Sequence, residues 1–202
     1  LLVNYIFFPE YYGGAERFVL NLAKQLQRNG HFVKILTYIH REGTDNLLAL
    51  GDRVSYKEYE YDGIPVIAVR HRNIPTDVDF EIYDKNIEDS FKIIIAKEDY
   101  DIIHLVNSVK FCSIIKAAKD INKPVVLTLI SFWPLCPKIF LLKANTKTIC
   151  TGPRNGLECL HECYPSTWKQ KIISRQKDAK FIFDLADIVV SPSLFLKSVF
   201  NL

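Results

Sequence analysis

The spacing of apolar residues changes several times along the chain, and each change marks an element. Residues 1–8, LLVNYIFF, form a nearly continuous apolar run, as in a strand covered on both faces. From Ala15 the period lengthens: Ala15, Phe18, Val19, Leu22, Ala23 and Leu26 share one face of a helix, with Glu16, Lys24, Gln27 and Arg28 opposite. Asn29-Gly30 ends that helix, and residues 32–38 read as a second strand. Alternation over 54–61 and 64–70 around Asp62-Gly63 predicts an inserted antiparallel hairpin. Helical spacing returns over 80–97, where Ile87, Phe91, Ile94 and Ile95 align, and again over 109–122 and 167–186. Strands are predicted at 101–106, after Pro124 and at 188–191, and Ser191-Pro192-Ser193 caps a last helix.

This order predicts an α/β fold: a Rossmann-like, open, mainly parallel sheet with helices on both faces. One domain covers 1–202, with one inserted hairpin and an irregular, cysteine-containing insertion at 131–165. Ligands of such sheets sit beyond the carboxyl ends of the strands. Three places fall there: the Gly13-Gly14 loop, the turn from His104 to Lys110, and the segment starting at Ser131.

Composition narrows the class. With 202 residues, 49% of them hydrophobic, the chain can bury a sizeable core. A formal charge of +3 gives no ground for a nucleic-acid partner. No apolar stretch reaches the ~18 residues a membrane span needs, and residues 1–8 lack a basic leader and a cleavage site. A cytoplasmic location is the expectation. The chain contains no Met and stops inside a helical pattern, so it is expected to be a fragment.

Gly13-Gly14 stands between the first strand and the first helix. A helix start carries free N–H groups and a partial positive charge, which suit a phosphate when no side chain bars the approach. The pair fits neither GxGxxG nor GxxxxGK[ST], so a plain tight turn is the other reading. Tyr11-Tyr12 and Trp133 offer rings that could stack on a sugar.

The segment FFPEYYGGAERFVLNLAKQLQRNGHFVKILT resembles the opening of the family 4 glycosyltransferases, retaining enzymes of the GT-B architecture. DIIHLVN, VVLTLISFWPLCPK and ADIVVSPSLFLKSVF follow in the family's order. The resemblance implies two facing Rossmann-like domains, with only the first present here and the C-terminal donor domain absent. It implies a hexosyltransferase-type enzyme of polysaccharide biosynthesis, passing a sugar from a nucleotide-sugar to a glycan or lipid-linked acceptor. The chemistry itself would require no metal or other cofactor, and the fragment alone would be inactive. By the same resemblance Gly13, Gly14 and Glu16 lie against the donor diphosphate, and Tyr12, His104, Asn107, Ser131 and Trp133 face the acceptor. Arg17 matches the motif too, but reads as an ordinary first-turn residue. Two departures stand out: Ile130-Ser131 replaces the family's His-Asp, and Val106 replaces a second His. A non-catalytic glycan- or nucleotide-binding module and an epimerase-like domain are the alternatives.

Two features lie outside that resemblance. Cys112 reads as a small core residue. Cys136, Cys150, Cys159 and Cys163 are spaced C-x13-C-x8-C-x3-C within a loop that needs something to hold it. A structural zinc site is the first reading, with His161 able to replace one ligand; buried thiols and disulfides are the others. Lys169, Lys171, Arg175, Lys177 and Lys180 load one helix with positive charge, against Asp178. That is either a solvated face or a peripheral contact with the inner face of an anionic membrane.

Overall fold

The computed structural model describes residues 1–40, 46–74 and 80–200. Eight strands form one sheet: β1 (Leu2–Val3), β2 (Ile35–Tyr38), β3 (Leu48–Leu50), β4 (Val54–Tyr61), β5 (Ile64–His71), β6 (Ile103–Leu105), β7 (Val125–Thr128) and β8 (Ile188–Val190). Their order is β3-β4-β5-β2-β1-β6-β7-β8. From β5 to β8 every neighbour is parallel, while β3 and β4 are antiparallel additions at one edge. The helices are α1 (Gly14–Arg28), α2 (Lys85–Lys97), α3 (Ser113–Asp120), α4 (Leu157–Glu162), α5 (Lys169–Leu185) and α6 (Leu194–Phe200). Residues 201–202, where the sequence is expected to stop inside a helix, lie outside the described residues.

Alternating side chains of the central strands feed two cores, as the period of a strand requires. Leu2, Ile35 and Val66 meet Val19 and Ala23 of α1 on one face. Val3, Leu36 and Ile67 belong to the larger core on the other face, with Ile87 and Phe91 of α2, Ile114 of α3 and Ile182 of α5. Helices therefore cover both faces, as expected.

The first apolar run divides in two. Only Leu2–Val3 pairs as a strand, while Phe7 and Phe8 leave the sheet and bury 99% and 96% of their surface against the hairpin. Phe8 stacks on Tyr61 with ring centres 4.8 Å apart, and Tyr59 donates to the Phe8 carbonyl at 2.6 Å. Aromatic burial has overridden strand extension here. The hairpin is also less of an insertion than its pattern suggests: β5 is a full parallel neighbour of β2, and β3 is an added edge strand that the alternation does not reveal. Helix α2 starts at Lys85 rather than near residue 80, because Asp84 caps it by accepting the Asn86 N–H at 2.8 Å.

The long segment after β7 is held by Arg175. That side chain reads as part of an exposed basic face in the sequence; in the fold it is 2% exposed. Its guanidinium donates to the carbonyls of Phe80 (2.7 Å) and Pro134 (2.9 Å), and to that of Trp133. It lies between the Trp133 ring at 4.9 Å and the Phe80 ring at 5.5 Å. Burial pulls its pKa down to about 10, still far above neutrality. One cation thus ties α5 to the loop after β7 and to the connection leading into α2. Replacing it with an apolar side chain strands three carbonyls. We expect Arg175→Met to lower stability by roughly 3–5 kcal/mol in denaturant unfolding; a loss below about 1 kcal/mol would show that the segment is held by something else.

Candidate functional site

The chain builds outward from β1 in both directions. It passes through α1 to β2 on one side and later returns to place β6 on the other, so the order reverses between β1 and β6. Such a switch point opens a crevice at the carboxyl edge, because the two following loops diverge to opposite faces. Here those loops carry residues 4–13 and 106–112.

At the crevice, Gly13 is the N-cap of α1 and makes no side-chain cap bond. Its φ of −116° suits any residue, so conformation does not demand glycine there. A Cβ at Gly13 would meet the tip of the Glu16 carboxylate, the far end of a flexible side chain, and no backbone atom within 4 Å. Gly14 differs, since a Cβ added there meets nothing within 4 Å. Neither protein packing nor a left-handed φ explains its bareness. The first helical bond runs from the Arg17 N–H to the Gly13 carbonyl at 3.2 Å. Among the described residues, no protein group accepts from the N–H groups of Gly13, Gly14 or Ala15, leaving donors of the kind that anions bind.

Glu16 departs from its expected role. It is 3% exposed and folds back over Gly13, in the first turn of α1. A carboxylate there is favourable to the helix dipole, yet it cannot hydrogen-bond a phosphate oxygen and repels it. Its chemistry suits packing against the glycine or accepting from a sugar hydroxyl, not gripping a diphosphate.

The acceptor-side residues scatter more. Tyr12 is 66% exposed at the mouth of the loop, edge-on to Phe8 at 5.1 Å. His104 lies in the middle of β6, between Leu2 and Val126, with Nε2 hydrogen-bonded to Thr128 Oγ1 at 2.8 Å. Burial holds its pKa below the usual imidazole range, so it is a neutral, engaged ring. Asn107 accepts the Val109 N–H at 3.3 Å and shapes the turn after β6. Ser131 similarly accepts the Trp133 N–H at 3.4 Å. Trp133 is 1% exposed beneath Arg175, so its ring has no free face for a sugar. Val106, also 1% exposed, belongs to the α1-side core.

Sequence reasoning overlooked a polar chain at the ends of β2 and β5. Asp84 Oδ2 lies 2.8 Å from His71 Nε2, and His71 Nδ1 lies 2.9 Å from the Tyr38 hydroxyl. Lys110 lies over the Tyr38 ring at 4.4 Å and the Tyr5 ring at 5.3 Å. Its φ of 61° is left-handed in a residue with a full side chain, a strained form that clusters at functional loops. Tyr38 and His71 are 33 residues apart, and His71 and Asp84 are 13 apart, beyond any local motif.

Two further expectations change. Among the described residues, no three His, Cys, Asp or Glu side chains are arranged to hold a metal ion, so the four cysteines do not form a ready-made zinc site. All five cysteines are free thiols, which leaves disulfides unformed. On α5, Lys169, Lys171, Lys177 and Lys180 are exposed but Arg175 points inward, which thins the proposed membrane-facing charge. No described helix is long and apolar enough to cross a membrane.

The sequence matches Glycosyltransferase Family 4 over residues 12–201. No protein of curated function matches it. Among solved structures, a sucrose-phosphate synthase from Thermosynechococcus elongatus is similar, with a TM-score of 0.56 and 16% identity over 99% of this chain. The match covers 43% of that protein, so the chain spans less than half its length. At this identity the likeness speaks for the fold alone, a GT-B glycosyltransferase domain.

The two glycines should separate experimentally. Gly14→Ala is expected to leave the melting temperature unchanged or slightly raised, while raising KM for a nucleotide-sugar in the full-length protein at least about tenfold, or ~1.4 kcal/mol. Gly13→Ala should instead cost roughly 0.5–2 kcal/mol of stability, partly recovered by adding Glu16→Ala. Equal effects of the two single changes on KM, without any on stability, would contradict this division.

Proposed function

The chain belongs to glycosyltransferase family 4, and from that premise we propose that it forms the acceptor-side half of a retaining, nucleotide-sugar-dependent transferase. A second Rossmann-like domain following residue 202 would supply the donor grip and close the cleft. The observation that supports this most is the bare start of α1 at the switch point, where Gly14 faces open space and the adjoining N–H groups have no protein acceptor among the described residues.

The chemistry follows from charge. As the bond between the anomeric carbon and the donor phosphate breaks, negative charge gathers on the departing nucleoside diphosphate. Fixed N–H groups at a helix start favour that charge more than the intact donor, which lowers the barrier. Tyr12, at the mouth of the same loop, has an exposed ring that can flank a sugar. The Lys110–Tyr38–His71–Asp84 group lies at the neighbouring strand ends and would shape the acceptor side. A glycan or a lipid-linked glycan is the acceptor class we favour, with cytoplasmic chemistry beside a membrane surface.

A non-catalytic binding module is the second reading. Val106 is buried in the core where the family resemblance places a second His, and Ile130-Ser131 lacks the His-Asp pair. The full-length protein, incubated with a panel of nucleotide-sugars and candidate glycan acceptors, should transfer sugar with its anomeric configuration kept. Residues 1–202 alone should show no turnover. Inverted product, or robust turnover by the fragment, would contradict the proposal; donor binding without transfer would favour the module.

A further inference from the structure

The sugar-transfer reading leaves the cysteine-containing segment without a role. Its inner side is packing: burial pushes the Cys159 thiol up to about 11, which makes it a neutral group. The outer side is unusual. Leu142 and Ile149 are antiparallel bridge partners, so their side chains project to the same side. They are 45% and 71% exposed, and Phe140, two residues before Leu142, is 73% exposed. Ile139 and Leu141 bracket Phe140 with left-handed φ values of 71° and 55°, an outlying conformation for residues of their bulk. Leu141 is buried while the Phe140 ring stands out. Large apolar groups presented to solvent by a strained backbone mark a surface that something covers.

Positive charge accompanies this patch. Residues 136–180 carry nine Lys and Arg, one of them the buried Arg175, against three Asp and Glu, although the whole chain is only +3. Two of those acids, Glu158 and Glu162, are already engaged by Lys143. Among the described residues no carboxylate pairs with Lys138 or Lys147, both exposed. Lys138 lies over the Tyr164 ring at 5.3 Å. Tyr164 in turn stacks on Trp168 with ring centres 5.3 Å apart, and Lys171 lies over Trp168 at 5.1 Å. The row Lys138–Tyr164–Trp168–Lys171 therefore connects the apolar loop to the start of α5.

We propose that this surface docks on an anionic lipid bilayer, with Phe140, Leu142 and Ile149 entering the headgroup region and Lys138, Lys147 and Lys171 facing the lipid phosphates. Apolar side chains gain by leaving water, and Tyr and Trp suit the boundary between water and lipid. Each lysine close to an anionic surface strengthens binding about fivefold. One kind of attraction alone holds a protein only marginally, whereas apolar contact and charge together hold it firmly. A nucleic acid would satisfy the lysines but leave the three apolar side chains in water. The contact thus centres on the loop between residues 138 and 149, not on α5, where Arg175 points inward. This inference is independent of the sugar-transfer reading, and its test reads no turnover.

The test is sedimentation of the full-length protein with lipid vesicles. Phosphatidylcholine vesicles containing about 30% phosphatidylglycerol should bind at least about tenfold more tightly than phosphatidylcholine alone, and less so as salt is raised to about 0.5 M. Phe140→Ser combined with Ile149→Ser should weaken binding to the anionic vesicles about tenfold, with the melting temperature unchanged. Lys138→Glu combined with Lys147→Glu keeps the apolar side chains, should weaken binding by a similar factor, and carries the test if the serine pair fails to fold. Absence of vesicle binding overturns the proposal, as does binding that a folded serine pair or the glutamate pair leaves intact. A dimer in sedimentation velocity that the serine pair dissociates would also overturn it, because a second copy would then cover the patch.

Discussion

The pairing of β1 on both sides governs the molecule. Residues 1–4 bond on one side through the Leu2 and Asn4 N–H groups to the Lys34 and Leu36 carbonyls at 2.9 and 3.0 Å, and on the other through the His104 and Val106 N–H groups to the Leu1 and Val3 carbonyls at 2.8 Å. A short strand held from both sides lies in the interior of the sheet. The chain then has to leave its carboxyl end over one face, and β6 has to leave over the other. The crevice is therefore a consequence of topology, with the glycines at its rim.

Local patterns were legible wherever the physics is local. The helical period of α1, its Asn29-Gly30 ending and the Asp62-Gly63 turn all report on neighbours in sequence, and each is found in place. Gly13 and Gly14 read as a pair, although only coordinates show that one lies under the Glu16 carboxylate and the other against open space. Burial set by distant partners was not legible. Arg175 and Trp133 are 42 residues apart, so a basic residue amid lysines and an aromatic beside a proline gave no sign that they face each other. The Tyr38–His71–Asp84 chain was hidden for the same reason.

Arg175 also explains why the segment after β7 can be irregular and still be positioned. A guanidinium offers five N–H donors in a rigid plane and stays charged when buried, so a single side chain can fix several carbonyls that have no strand or helix partner. The loop bearing Ser131 thereby stays beside the crevice, while Trp133 is drawn away from it. The sequence suggested that a metal held this loop; the fold gives that task first to Arg175, and leaves the four thiols around their own cavity.

The central claim is that the amides at the start of α1 receive a diphosphate. The most direct measurement follows ¹⁵N-glycine-labelled full-length protein by NMR during titration with a nucleoside diphosphate, using Gly14→Ala to assign the resonance. The account predicts saturable shifts of the Gly13 and Gly14 amides, with other glycines of the domain little moved. Binding that leaves both of those amides unshifted would contradict it.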